Sequence, residues 1–260
     1  MSPTRTAPLA PLREALLDAW ALLQPIDCLG CGAPDRACCR DCRAAIRPVA
    51  AVRVRCDADP GVPVWCAADY TGPVRGAVLA LKEAGRVDAA RVLAPLLRAA
   101  VAGAVAAAAE VAARPVAVGS DIRPAAADSS RRVELVRVPT TRRALARRGH
   151  DPLALIVARA RLPSSRILAP RHTWAAGEQK QRGRAGRLAA QVDRFRARGN
   201  LLGRAFLLVD DVATTGATLT AACRAIRAAG GEVLGCAVVA APDLVRRSAR
   251  APPERVVTIP

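Results

Sequence analysis

The stretch from residue 205 to 218 constrains the fold most. Its apolar block, Phe206 to Val209, runs directly into two adjacent carboxylates, Asp210 and Asp211, and then into a small, hydroxyl-rich turn. An unbroken apolar run of this kind reads as a strand of a parallel sheet, buried on both faces. Thr214 to Thr218 then form the turn, and Leu219 to Ala229 the helix that it opens. Unpaired N–H groups at a helix start, together with the positive end of its dipole, favour an anion such as a 5'-phosphate. Gly216 lets the backbone approach such a ligand. The two acids at the strand's carboxyl end can accept hydrogen bonds from two neighbouring hydroxyls, as a ribose presents them. An ordinary N-cap needs one acid, not two followed by Thr214, Thr215, Gly216 and Thr218.

Strand and helix patterns alternate around this segment. Strands are expected at 52–56, 63–69, 115–119, 133–138, 164–169, 205–209 and 232–240, and helices at 12–23, 73–84, 87–113, 150–160, 185–197 and 217–229. Loops fill 120–131 and 171–184. This alternation implies an α/β fold, a mostly parallel sheet flanked by helices, with ligands bound beyond the carboxyl ends of the strands. A chain of 260 residues that is 52% hydrophobic can bury a sizeable core. Three parts are expected: residues 1–50 as an N-terminal helix and cysteine module, 51–241 as the α/β domain, and 242–260 as a basic, Pro-rich tail. No apolar run looks long enough to span a bilayer. The nearest, 92–113, is mainly alanine and contains Arg98 and Glu110, so it reads as a packed helix and no membrane insertion is expected.

The cysteines supply a second constraint. Cys28-x-x-Cys31 and Cys39-x-x-Cys42 form two knuckles that can direct four thiolates to the corners of a tetrahedron, the arrangement of a small structural zinc module. Cys38 is the alternative third ligand. Nothing at the N-terminus resembles a secretory signal, so a reducing cytoplasm is expected and disulfides are not. Cys56 and Cys66 have no knuckle around them, and Cys223 and Cys236 read as small core residues.

At residues 206–218 the chain resembles a type I phosphoribosyltransferase, whose signature is four apolar residues, two acids and a Thr/Gly phosphate loop. The resemblance implies a type I phosphoribosyltransferase-like fold and a site for phosphoribosyl pyrophosphate (PRPP) with Mg2+, the metal held largely by the ligand's own oxygens. It makes Asp210 and Asp211 the catalytic acids that grip the ribose. Ala213, Thr214, Thr215, Gly216, Ala217 and Thr218 become the rest of the PRPP loop. Thr214 occupies the slot where purine-salvage members carry an Asp general base, which argues against hypoxanthine or guanine as acceptor.

A cysteine knuckle preceding that signature is similar to the ComF family, which is linked to DNA uptake in competent bacteria. Tyr70-Thr71-Gly72 with Leu81-Lys82 and Gly85, Val138-Pro139 with Arg143, Arg148 and Gly149, and Arg171, Gln179, Lys180 and Arg187 carry the likeness further. His150-Asp151 depart from the family's phenylalanine-asparagine, and Asn200 is displaced. The resemblance implies a pyrophosphate loop at Pro139, Thr140, Thr141 and Arg143, and a mobile hood containing Arg171, Gln179 and Lys180. It implies a glycosyltransferase that moves phosphoribosyl to an unknown nitrogen acceptor. Two other roles follow from it: a module that binds single-stranded DNA and a DNA-uptake helicase, and a PRPP sensor without turnover.

A net charge of +18 agrees with an anionic ligand, although 38 of the 40 basic residues are arginine, as a GC-rich codon bias would also produce. Two runs stand out: Arg142, Arg143, Arg147 and Arg148, and the six arginines from Arg182 to Arg198. Aromatics at 2% leave few platforms on which single-stranded bases could stack.

Overall fold

The computed structural model describes residues 26–54, 62–113, 132–171 and 194–242. The expected helix 12–23, strand 115–119, loop 120–131 and most of the 242–260 tail lie outside these residues.

A five-stranded sheet forms the centre, in the order β1 (Val52–Val54), β2 (Val64–Cys66), β7 (Glu232–Ala240), β6 (Ala205–Val212), β3 (Val133–Arg137). Only β1 against β2 is antiparallel; β2–β7, β7–β6 and β6–β3 are parallel. The sheet is therefore mostly parallel and flanked by helices. β6 lies inside it, with Phe206 to Val209 at most 1% exposed, which is why these positions are apolar without alternation.

Helix α3 (Ala89–Ala113) packs against α2 (Gly72–Lys82), α5 (Pro152–Arg159), β2, β7 and β6, and α5 also meets β6, while α6 (Ala217–Ala228) packs against β6, β7 and a short antiparallel pair, β4 (Leu168–Pro170) with β5 (Phe195–Ala197). Two short helices complete the set, α1 (Arg40–Ala45) and α4 (Arg142–Arg148). Local capping explains where several begin. The Thr141 hydroxyl accepts from Ala144 N–H at the start of α4, and the Asp151 carboxylate accepts from Ala154 N–H at the start of α5, where Pro152 takes the first helical position. Gly149, at φ +73°, closes α4 in the left-handed region that glycine enters freely.

Three expectations change. Residues 195–197, expected at the end of a helical run, form strand β5, because hydrogen bonding to β4 supplies partners that helix propensity does not foresee. β6 continues to Val212, so both acids lie within the strand and the turn begins at Ala213. Ala89–Val111 is long and apolar enough to cross a bilayer, contrary to the reading of 92–113. In this fold the helix serves as a core element, with Leu93, Leu96, Leu97 and Ala100 fully buried.

Candidate functional site at the exit of the central strand

Asp210 and Asp211 stand where β6 leaves the sheet. Both lie in the last three residues of the strand, which ends at Val212. Asp211 is buried, and Lys82 at the end of α2 donates to both of its carboxylate oxygens, at 2.8 Å each. Asp210 is bonded by the N–H of Asp211 at 2.8 Å. Loss of water around the Asp210 carboxyl, reinforced by the Asp211 charge, pushes its pKa up to about 8, although the Asp211 N–H and Lys82 pull the other way.

The pKa shift has a stability consequence. Asp210 is raised above its unfolded value, so its contribution is fully present below about pH 4 and is lost as pH rises through about 8. Denaturant unfolding of the ligand-free chain is therefore expected to show falling stability between these limits, and Asp210→Asn should flatten that slope. An unchanged slope in the variant would remove Asp210 as its source.

The turn after β6 is an open cup of amides. Gly216 takes φ +74° as the N-cap of α6, and Ala217 N–H is held by the Thr215 hydroxyl at 3.4 Å. The amides of Thr214, Thr215, Gly216 and Thr218 carry no hydrogen bond among the described residues and lie at a helix start, where an anion is favoured. Ala213 departs from its expected role: its N–H is spent on Ala240 O at 3.2 Å and its side chain is buried, so it lines the wall rather than donating to a ligand.

The segment after β3 is shared between two tasks. Pro139 and Thr140 face a cleft, whereas the Thr141 side chain is occupied as the cap of α4. Arg143 was expected on this loop but lies in the first turn of α4, because the Thr141 cap starts the helix one residue after the threonine. The first arginine run is also partly neutralised, since Arg147 and Arg148 pair with Glu83 at 3.5 and 3.2 Å.

Arg171 closes the base of the expected hood, donating its N–H to Arg194 O at 2.8 Å, and Arg194 in turn reaches the Thr218 hydroxyl at 3.4 Å. The foot of that connection thus touches the amide cup. Gln179, Lys180 and Arg187 lie outside the described residues.

Sequence reasoning missed the contact of Lys82 with Asp211, since Lys82 was noted only as part of a likeness. Its signal was scarcity: only Lys82 and Lys180 are lysines in a chain that otherwise uses arginine. His150 was likewise noted only as a departure. Its two ring nitrogens lie 2.9 Å from Leu81 O and Arg148 O, tying the end of α2 to the turn after α4.

The cysteine module is a separate site. The sulfurs of Cys28, Cys31, Cys39 and Cys42 lie within 4.8 Å of one another, and Cys31 and Cys39 are 3.8 Å apart. A tetrahedral zinc with bonds of about 2.3 Å sets its sulfurs about 3.8 Å apart, so the cluster could hold such a metal. Backbone N–H groups of Gly30 and Cys39 point at the Cys28 sulfur, and that of Cys42 at the Cys39 sulfur. Burial opposes ionisation of Cys28, yet the N–H donors of Cys39, Cys31 and Gly30 outweigh it and bring the thiol down to about 6. Burial and the neighbouring thiols push Cys42 up when no cation is present, a balance that a divalent metal reverses. Gly30 is required at the first knuckle, because a Cβ there would sit 2.7 Å from the Cys42 sulfur. Cys38 is outside the cluster, its thiol directed at Cys39 O and raised by burial. Four sulfur ligands close the coordination sphere, which suits a structural metal. Cys223 and Cys236 are buried in the core, 4.0 Å apart, as small core residues would be.

The chain is thus defined as an α/β domain whose candidate site lies beyond the carboxyl ends of parallel strands, at the exit of β6. Residues 141–259 match the family model of the phosphoribosyl transferase domain. That match supports a phosphoribosyltransferase-like function with PRPP as the implied substrate. It covers just under half of the chain and leaves out β1 to β3, Lys82 and the cysteine cluster. No curated protein matches the chain.

Proposed function

We propose that the protein is a ComF-type phosphoribosyltransferase that binds Mg–PRPP and transfers its phosphoribosyl group to a nitrogen acceptor in the cytoplasm. The observation that carries this reading is the Asp210–Asp211 pair adjoining the amides of Thr214, Thr215, Gly216 and Thr218, which make no hydrogen bond among the described residues. The amides take the 5'-phosphate, and the acids accept from the ribose 2- and 3-hydroxyls. The C1–O bond breaks, its electron pair leaving with pyrophosphate, as positive charge develops on the sugar ring; the Asp211 carboxylate, paired with Lys82, contributes charge, and Asp210 contributes position through its hydrogen bond to the ribose. Mg2+, held on the ligand's own oxygens, would supply positive charge to the leaving pyrophosphate. Lys82 fixes the Asp211 carboxylate and balances its charge, so it acts as a positioning residue. A reading as a single-stranded-DNA and helicase module in competence rests on the likeness to ComF proteins and on the two arginine runs. Glu83 draws charge from the first arginine run, and this favours the transferase reading.

Thermal melting tests it. Mg–PRPP at a hundredfold excess over Kd is expected to raise Tm by roughly 5–10 °C, with smaller shifts for nucleotides and oligonucleotides. Lys82→Met should weaken Mg–PRPP by about 10- to 100-fold while the chain still folds, since a charged hydrogen bond contributes about 1.5–3 kcal/mol. No shift with Mg–PRPP, or a larger one with oligonucleotide, would overturn the transferase reading.

A further inference from the structure

The last carbonyls of an α-helix have no partner inside it and must find one elsewhere. At the end of α2 the Leu81 carbonyl, and at the end of α4 the Arg148 carbonyl, accept no backbone N–H among the described residues. One side chain meets both. His150 Nε2 lies 2.9 Å from Leu81 O, and its Nδ1 lies 2.9 Å from Arg148 O.

A carbonyl oxygen only accepts, so each ring nitrogen has to donate. The neutral ring has one N–H and would set a lone pair against the other carbonyl, whereas the imidazolium has two and satisfies both. A cation at a helix C-terminus is favoured by the helix dipole as well. The charged groups nearby are committed elsewhere. Glu83, after α2, holds Arg147 and Arg148 of α4; Asp151, at the start of α5, is shared among Arg137, the Thr140 hydroxyl and the Ala154 N–H; Lys82 is on Asp211. His150 makes no ion pair among the described residues, so the two carbonyls are what its charge serves.

Leu81 immediately precedes Lys82, the last residue of α2, whose ammonium donates to both oxygens of Asp211. Pinning the Leu81 carbonyl therefore fixes the end of α2, and with it the direction from which Lys82 approaches the acid pair.

We infer that His150, as the imidazolium, is a positioning residue that clasps the ends of α2 and α4 together and keeps Lys82 on Asp211, so that loss of one ring proton weakens Mg–PRPP binding. The inference deepens the PRPP reading and rests on it for the ligand, whereas the clasp stands on the ring geometry alone.

Calorimetry of the full chain with Mg–PRPP tests it, comparing the parent with His150→Phe, which keeps a ring but has no N–H to donate. The parent is expected to bind about tenfold tighter than the variant at about pH 6, and within about threefold of it at about pH 8.5, since a histidine ring changes charge between these limits. Ionisation of Asp210 and of the ligand phosphates is common to both chains, so the ratio isolates the ring. In a Lys82→Met background, His150→Phe should change affinity by less than about twofold, because the residue it acts through is gone. A ratio that stays constant with pH, or an equal loss in the Lys82→Met background, would overturn the inference. NMR of the ligand-free chain at about pH 6 supplies a second readout: two ring N–H signals of His150 sheltered from water, and a Lys82 ammonium signal that His150→Phe broadens away. Rapid exchange of either ring proton, or a Lys82 signal untouched by the variant, would also overturn it. A parent that binds no Mg–PRPP at any pH would instead sink the PRPP reading, and the clasp would then stand or fall on the two ligand-free signals.

Discussion

Asparagine at both Asp210 and Asp211 is expected to lower phosphoribosyl transfer by about a thousandfold or more, several kcal/mol of transition-state stabilisation. The site gives its acids no substitute: Asp211 is buried against Lys82, and the surrounding β6 positions are apolar. Two amides in their place would still fill the space but could not stabilise the cationic sugar. Calorimetry with Mg–PRPP provides the second readout, and a double variant that binds as tightly as the parent would rule out the acid pair as the ribose grip. Folding should not confound the result, since Asp210→Asn removes a carboxyl whose ionisation the fold resists. The single variants should differ, because only Asp211→Asn leaves Lys82 without its counterion.

The cysteine module should give the other large effect. Structural zinc sites supply about 10–16 kcal/mol of apparent binding energy, comparable to the whole stability of an ordinary domain at about 5–15 kcal/mol. Cys31→Ser/Cys39→Ser is therefore expected to abolish bound zinc and to unfold residues 28–46, with a marked fall in Tm; a strong chelator should reproduce it in the parent. Cys38→Ser should retain the metal, as its thiol lies outside the cluster. Elemental analysis beside the melts decides the matter: a parent free of zinc, or a Cys31→Ser/Cys39→Ser variant that keeps it, would refute a zinc role. The damage should spread to the β6 site. The Leu29 and Gly30 carbonyls lie so close to Gly76 of α2 that a Cβ there would meet them at 2.7 and 2.8 Å, and α2 carries Lys82 to Asp211.

What was legible in the sequence shares one physical property: the partners are close along the chain. Phe206 to Val209 announce a buried strand, Gly216 a turn, and the residues after it a helix, because hydrophobic run, backbone freedom and helix start are all local. Cys28 and Cys31, or Cys39 and Cys42, come together through a knuckle of four residues. The Thr141 cap is equally local: it starts α4 at Arg142 and so takes Arg143 into the helix.

The sequence by itself determined the order of strand, acid pair, amide turn and helix, and the pairing of cysteines within each knuckle. Tertiary structure alone decided which charges meet. Lys82 reaches Asp211 across 129 residues of chain, Arg137 meets Asp151 only when α5 is packed beside β3, and Phe195–Ala197 becomes a strand only because β4 lies alongside. Charge pairing has no periodicity and no preferred spacing along a chain, so the packing of strands and helices is what selects each ion's partner.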